Sequence, residues 1–304
     1  MKLVFLGTPA FAVPSLQRTV AEGHEVAAVF TQPDRPKGRG HKQQMPPVKE
    51  AALRLGLPVF QPERVRKPEV VGQLRDFVPE AMVAVGYGQI IPQAILDIPP
   101  LGIINVHASL LPKYRGAAPI QWAIARGETR TGVTTMRIDA GLDTGGLLLK
   151  WETEIGREET AIELSERLAA AGAELLARTL SDLPNLRPEP QDDSQASYAP
   201  ILKKEDGHID WSMTAREILS RVRGLLPWPG CYAFLRGLRL HIWKARPANL
   251  EIAPGRLHLQ DRHLYAGCAD GAIELLEVQL EGKKRMAAGA FLNGFTMEAD
   301  EALA

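Results

Sequence analysis

Three side chains in this sequence have the types and spacing to act together on a carbonyl group. Asn105 and His107 stand two residues apart at the end of the apolar run "LGIINVH", and Asp143 lies in "RIDAGLDTGGLL" beside Gly141, Gly145 and Gly146. In a strand, alternate side chains face one way, so Ile103, Asn105 and His107 share a face while Ile104 and Val106 share the other. An amide donor, an imidazole and an orienting carboxylate suit acyl transfer, in which an amine attacks a carbonyl and the transient oxyanion needs donors. No serine or cysteine nucleophile stands beside the set, so direct transfer fits better than a covalent intermediate. Each member also has a plainer reading. A lone histidine is most often structural, and a glycine-rich loop carrying an aspartate is a common turn.

The elements that must position these residues follow from the apolar pattern. "KLVFLG", "HEVAAVFTQ", "PVFQP", "EAMVAVGYG", "GIINVHAS" and "GVTTMRID" read as strands. Helical stretches lie between them: "FAVPSLQRTVAEG", "PPVKEAALRLG", "KPEVVGQLRDF", "IPQAILDIP" and "IQWAIARGE". Strands this apolar, alternating with helices, predict an α/β fold: a Rossmann-like, mostly parallel sheet with helices on its faces. Ligands of such sheets sit at the carboxyl ends of strands, where Asn105 and His107 fall. The first strand ends in "GTPAF", which contains neither G-x-G-x-x-G nor a Walker lysine, so Gly7 is expected to make a tight turn. "EETAIELSERLAAAGAELLARTLSDL" predicts a long amphipathic helix.

The chain has 304 residues, which favours two domains. Composition shifts after Leu183. "PNLRPEPQDDSQASYAP" is rich in Pro, Asp, Ser and Gln and reads as a linker. After the helical "TAREILSRVRGL", short strand-like pieces follow at close spacing, from "GCYAFL" to "GAIELLEVQL", with "AAGAFLNG" as a last helix. They predict a small β-barrel, with an oligonucleotide-binding (OB-like) barrel as one candidate. The expected organisation is a catalytic domain over 1–183, a linker over 184–205 and a barrel domain over 206–304. Cys231 and Cys268 match no metal-ligand spacing, so no metal is expected. The N-terminal apolar run is too short for a signal peptide, and no stretch is long enough to span a membrane, which points to a cytoplasmic protein.

With 36 basic and 36 acidic residues, net charge says nothing about an acidic partner, and only local charge can. Arg35, Lys37, Arg39, Lys42 and Lys49 crowd one loop whose only acid is Asp34, with glycines on both sides of Arg39. Arg216, Arg221, Arg223, Arg236, Arg239, Lys244 and Arg246 form a second group, and Lys283, Lys284 and Arg285 a third. Basic loops are often merely solvated, but three groups in a neutral protein suggest a phosphate-tracking surface. His24, His208, His241, His258 and His263 read as structural or exposed, and Trp228 as a packing anchor.

The stretches "NVHASLLPKYRGAAPIQWAI" and "GVTTMRIDAGLDTGGLLL" closely resemble the formyltransferases that use 10-formyltetrahydrofolate. The resemblance extends over nearly the whole chain through "GTPAFAVPSL", "FTQPDRPKGRG", "YAPILKKEDGHIDW", "PWPGCYA" and "GKKRM". It implies that Asn105 donates to the formyl oxygen, that His107 stabilises the oxyanion, and that Asp143 orients His107 and favours its charged form. It places the folate donor at Ser109, Leu110, Leu111 and Pro112, and at Tyr87, Gly88, Gln89 and Ile90 through backbone groups. The "QPDRPKGRG" loop and the barrel point to the branch that formylates the α-amino group of methionine on initiator tRNA. There, Arg35, Lys37, Arg39, Lys42, Arg221, Arg223, Lys244, Lys283 and Lys284 would hold the tRNA, with Arg39 near the acceptor end, and a monomer is expected. Formylation of a nucleotide sugar is the rival. It would need the trio but not the basic loop. Glycinamide ribonucleotide formyltransferase would lack the second domain, and formyltetrahydrofolate hydrolase would carry a regulatory domain before the strand expected to begin at Lys2. A non-catalytic RNA-binding protein on the same fold would have no use for an intact trio.

Overall fold

The computed structural model describes residues 1–37, 42–298 and 301–304. The described residues form two compact units, and the chain passes between them more than once. The first comprises Met1–Gly116, Thr131–Thr153 and Ser165–Tyr198, and the second Ala117–Arg130, Glu154–Leu164 and Ala199–Ala304.

The first unit is built on a seven-stranded sheet. Its strands run in the order Leu147–Glu154, Arg130–Arg137, Ile103–His107, Ala81–Val85, Lys2–Gly7, Glu25–Phe30 and Val59–Phe60. From Ile103–His107 to Val59–Phe60 every neighbouring pair is parallel, and Arg130–Arg137 joins Ile103–His107 antiparallel. The strands are apolar because helices cover the sheet; Val4, Leu6, Ala28, Phe30, Met82, Ala84 and Ile103 belong to one buried cluster. Phe60 stacks on Phe30 at 5.1 Å between ring centres, and Phe77 packs edge-on against both. Strand order reverses between Lys2–Gly7 and Ala81–Val85, and the carboxyl ends of parallel strands at such a switch are where ligands bind.

Two parts of this unit were not anticipated from sequence. Leu147–Glu154 is an edge strand, and Arg35–Lys37 pairs antiparallel with Lys42–Gln44 as a separate ribbon. The expected linker also has structure of its own. A 3-10 turn spans Asp193–Gln195, and Tyr198–Ala199 pairs with Arg115–Gly116.

In the second unit an antiparallel sheet runs Cys231–Leu235, Leu238–Ala248, Gly271–Leu280, His263–Cys268, Leu257–Gln260, with Met286–Ala287 added beside Gly271–Leu280. Buried residues alternate along its strands, as in Ala233 and Leu235, Leu240 and Ile242, Leu264 and Ala266. The two ends of this sheet are bridged by the chain terminus. Ala304 exchanges both backbone hydrogen bonds with Phe234, and Leu257 N–H donates to Glu301 O on the other side. The last residues therefore act as a short stave that closes the sheet, and closure removes exposed strand edges. Arg236 holds this stave by ion-pairing with the buried Glu301 carboxylate. Among the described residues no helix is long and apolar enough to cross a membrane.

Candidate active site

The structure brings Asn105, His107 and Asp143 together. Asn105 pairs in register with Ala84 on one side and Met136 on the other, and His107 lies opposite Thr134, so both side chains are set by rigid strands. Asp143 reaches them from the loop after Arg130–Arg137. At Gly145 an added Cβ would lie 1.8 Å from the Arg137 carbonyl oxygen, so only glycine lets the loop fold back this tightly. Asp139 fixes the near side of the loop, accepting from Gly141 N–H at 3.0 Å and from the Thr144 hydroxyl at 2.8 Å. Asp143 itself adopts a φ of 53°, a left-handed conformation uncommon outside glycine, although aspartate tolerates it better than most residues.

The Asp143 carboxylate is shared. Its Oδ2 accepts from Gly116 N–H at 2.8 Å, and its Oδ1 accepts a longer bond from Asn105 Nδ2 at 3.4 Å. His107 Nδ1 faces Oδ2 at 3.7 Å, close enough for charge attraction and too far for a hydrogen bond. The pairing expected from sequence is thus electrostatic in this state. His107 Nε2 lies 2.9 Å from the Tyr114 carbonyl. A carbonyl only accepts, so Nε2 carries a hydrogen; a second hydrogen on Nδ1, making the ring a cation, is what Asp143 would attract. His107 is 6% exposed, which keeps water from screening the pair.

The segments expected to hold folate contribute unequally. Ser109 and Leu111 are buried and tied to the fold: the Ser109 hydroxyl donates to Lys113 O, and Leu111 N–H donates to Thr134 Oγ1. Leu110 and Pro112 keep part of their surface exposed. At the switch point, the Tyr87 side chain is in the core, while its carbonyl accepts from Thr8 Oγ1 and Gln32 Nε2, both at 3.0 Å. Gln89 spends its amide on Val65 N–H and Pro62 O. Gly86 and Gly88 have φ of 56° and 81°, and Ile90 projects with 89% of its surface exposed. These segments therefore offer a shaped backbone edge with apolar side chains, a combination suited to a flat, hydrogen-bonding ring system such as a pterin.

The basic residues separate into two kinds. Arg221 and Arg223, expected from sequence to contact phosphates, each donate to the main chain. Arg221 donates to Asp206 O at 2.5 Å, and Arg223 donates to Gly156 O at 3.3 Å and Glu159 O at 2.9 Å. Both sit in the last turn of the helix Ala215–Gly224 and serve as internal anchors. Arg236 and Arg246 are likewise committed, to Glu301 and to the buried Glu274. Lys244, Lys283 and Lys284 are exposed and hold no ion pair among the described residues. Arg285 lies over the Trp243 ring at 4.9 Å, and the His241 and Trp243 rings stack at 5.9 Å. The barrel unit thus carries both exposed cations and half-buried aromatic rings, and nucleic-acid surfaces use the two kinds of group. In the first unit Arg35 is exposed, and Lys49 is committed to Asp34 at 2.7 Å. Arg39 and the side chains of Lys37 and Lys42 lie outside the described residues. Among the described residues no cluster of His, Cys, Asp or Glu could hold a metal ion.

Asn105, His107 and Asp143 thus meet at the end of a parallel strand, on a doubly wound sheet followed by a small barrel. Residues 1–180 match the family model described as formyl transferase, residues 201–296 match formyl transferase, C-terminal domain, and the chain belongs to that family. It is 62% identical over 307 residues to a methionyl-tRNA formyltransferase of Solibacter usitatus (strain Ellin6076), covering 100% of this chain and 98% of the relative. It is 56% identical over 299 residues to the methionyl-tRNA formyltransferase of Koribacter versatilis (strain Ellin345), covering 97% and 96%. Among solved structures, the N-formyltransferase of Helicobacter canadensis in complex with folinic acid and dTDP-3-aminofucose superposes with a TM-score of 0.67 at 20% identity, covering 90% of this chain and 98% of that one. That likeness is one of fold.

Proposed function

We propose that this chain transfers the formyl group of 10-formyltetrahydrofolate to the α-amino group of methionine carried by initiator tRNA, the step that prepares the first residue for translation. The observation that carries the reading is the convergence of Asn105, His107 and Asp143 in a chain 62% identical, over its full length, to a methionyl-tRNA formyltransferase.

The chemistry needs no co-reactant. The neutral amine attacks the formyl carbon, and the carbonyl electrons move to oxygen. The bond from carbon to N10 of the folate then breaks, and the proton lost by the amine is made good at N10. An α-amino group has a reference pKa of about 8, so an appreciable fraction is neutral near pH 7 and the nucleophile needs little activation. What the protein must supply is stabilisation of the oxyanion. Asn105 supplies an amide N–H that Asp143 does not use. His107 is held in a buried place by Tyr114 O, and its cationic form would supply positive charge to the oxyanion there. Asp143 balances that charge and fixes both partners. The turn over Tyr87, Gly88, Gln89 and Ile90, with Leu110 and Pro112, is the folate edge. The exposed Lys244, Lys283 and Lys284 track phosphates of the tRNA, and the loop carrying Arg35, Lys37, Arg39 and Lys42 reads its aminoacyl end.

Incubation with 10-formyltetrahydrofolate and either methionyl initiator tRNA, a uridine-diphosphate amino sugar, or water separates the readings. Formyl transfer to the tRNA alone is expected; transfer to the sugar would replace this proposal with the sugar enzyme.

A further inference from the structure

Three successive residues, Tyr114, Arg115 and Gly116, link two members of the trio to a buried guanidinium. Tyr114 O holds His107, and Gly116 N–H holds the Asp143 carboxylate. Between them Arg115 is 2% exposed, an unusual place for a guanidinium, which is expensive to bury without partners. Its Nε and a terminal nitrogen both donate to Gln191 Oε1, at 3.0 Å and 2.8 Å, and the same terminal nitrogen donates to Asp193 at 2.7 Å. With Oε1 turned toward two donors, the Gln191 Nε2 must face the other way. There it donates to Asp143 O and Gly145 O, both at 2.8 Å. All four hydrogen-bonding positions of this amide are filled, and the arginine leaves only one way round for it. Ser197 completes the buckle: its hydroxyl accepts from Tyr114 N–H at 2.9 Å, and its carbonyl accepts from Arg115 N–H at 2.8 Å.

We propose that Gln191, oriented by Arg115, is a positioning residue that clamps the main chain of Asp143 so that its carboxylate meets Asn105 and His107. The main-chain clamp answers a specific need. Asp143 is left-handed at φ 53°, a conformation that costs energy and would relax if its carbonyl were released. Relaxation would swing the carboxylate away from Gly116, and with it the charge facing His107. The inference rests on the role given to Asp143 above.

The test uses the full-length enzyme with methionyl initiator tRNA and 10-formyltetrahydrofolate. Gln191→Ala and Gln191→Glu are made alone and with Asp143→Asn. The glutamate keeps the length and pairs with Arg115 but has no N–H for the two carbonyls. Each single variant is expected to lose about tenfold to hundredfold in kcat, the scale of a small misplacement at a reacting centre, with KM for either substrate changed less than about twofold. In the Asp143→Asn background the same changes should cost less than about threefold, because the group being positioned is already gone. Equal losses in both backgrounds, unchanged kcat in the single variants, or a loss that disappears when assays are run well below a lowered melting temperature would each overturn the clamp and leave Gln191 a structural residue. If Asp143→Asn alone retains full turnover, it is the reading of the trio that fails.

Discussion

The surroundings of Asp143 and the outer face of the barrel handle charge in opposite ways. Around Asp143 each charged or amide group has its partners within the fold. Arg115 is satisfied by Gln191 and Asp193, Gln191 by two carbonyls, and Asp143 by Gly116 and Asn105. On the barrel, Lys244, Lys283 and Lys284 are exposed and hold no ion pair among the described residues. The difference separates two tasks. Stabilising a charge that exists only in a transition state demands donors fixed in advance, because reorganising them during reaction would cost what they contribute. Following a phosphate backbone demands charge density and tolerates mobility, since the gain comes from released counterions. The side chains at the two places differ in kind. The buried Arg115 presents its rigid fork to Gln191, whereas Lys244, Lys283 and Lys284 are exposed.

The sharpest way to break this contrast is at Asn105. Asn105→Ala should lower turnover by about 10²–10³, the cost of one oxyanion donor, while leaving tRNA and folate affinity near the parent's. Single-turnover formylation alongside equilibrium binding checks both halves. Asp143→Asn should follow closely: it keeps shape and loses the charge facing His107, so turnover should fall while tRNA and folate affinity stay near the parent's. Unchanged turnover would mean the 3.7 Å approach of His107 and Asp143 has no catalytic consequence.

How much of this was legible beforehand depends on the range of the interaction. Strand alternation placed Asn105 and His107 on one face, and glycine spacing marked the Asp143 loop. Both are local signals, and the structure brings the three residues together. Gln191 gave no signal. It lies 76 residues from Arg115 and 48 from Asp143, in a stretch whose Pro, Asp and Ser content reads as linker. Composition reports how little a segment buries, and Gln191 acts by hydrogen bonding rather than burial. The closing stave at the terminus was hidden for a related reason, since so short a segment cannot show a period. The clustering of Arg221 and Arg223 with Lys244 left out the hydrogen bonds that tie the two arginines to the main chain. Sequence shows charge but not whether a carbonyl already holds it, as Gly156 and Glu159 hold Arg223.

Charge neutralisation on the barrel should give a smaller and different effect. Replacing Lys244, Lys283 and Lys284 together with glutamine should weaken tRNA binding regardless of sequence. It should also flatten the dependence of log affinity on log salt by about one for each phosphate no longer neutralised. Folate affinity should not change. Arg223→Ala sharpens the contrast from the other side. It should leave the salt slope intact and instead destabilise the fold by about 1–3 kcal/mol, since two carbonyls are deprived of their donor. Urea unfolding and salt-dependent binding on the same two proteins decide it. A triple lysine variant with the parent's slope would move the tracking surface elsewhere.

The smallest expected effect tests the exception in the first unit. The Tyr87 hydroxyl is buried with no hydrogen-bond partner among the described residues, although Tyr87 lies in the proposed folate edge. If that edge works through backbone groups, the hydroxyl contributes nothing to it. Tyr87→Phe should then keep turnover and folate affinity, and should stabilise the fold by up to about 1 kcal/mol, because a polar group hydrated in the unfolded chain is no longer buried unpaired. The pH dependence has a definite sign. Burial pushes the Tyr87 phenol above its ordinary value, so it stays neutral in the fold after the unfolded chain has begun to ionise. The parent protein should therefore lose stability as pH rises above about 10, the ordinary tyrosine value, while the phenylalanine variant is spared that part of the loss. Denaturation midpoints of the two proteins at about pH 8 and about pH 10.5, either side of that value, would show the gap widening at the higher pH. A variant that instead loses folate affinity would place the hydroxyl on the ligand and make Tyr87 a side-chain contact.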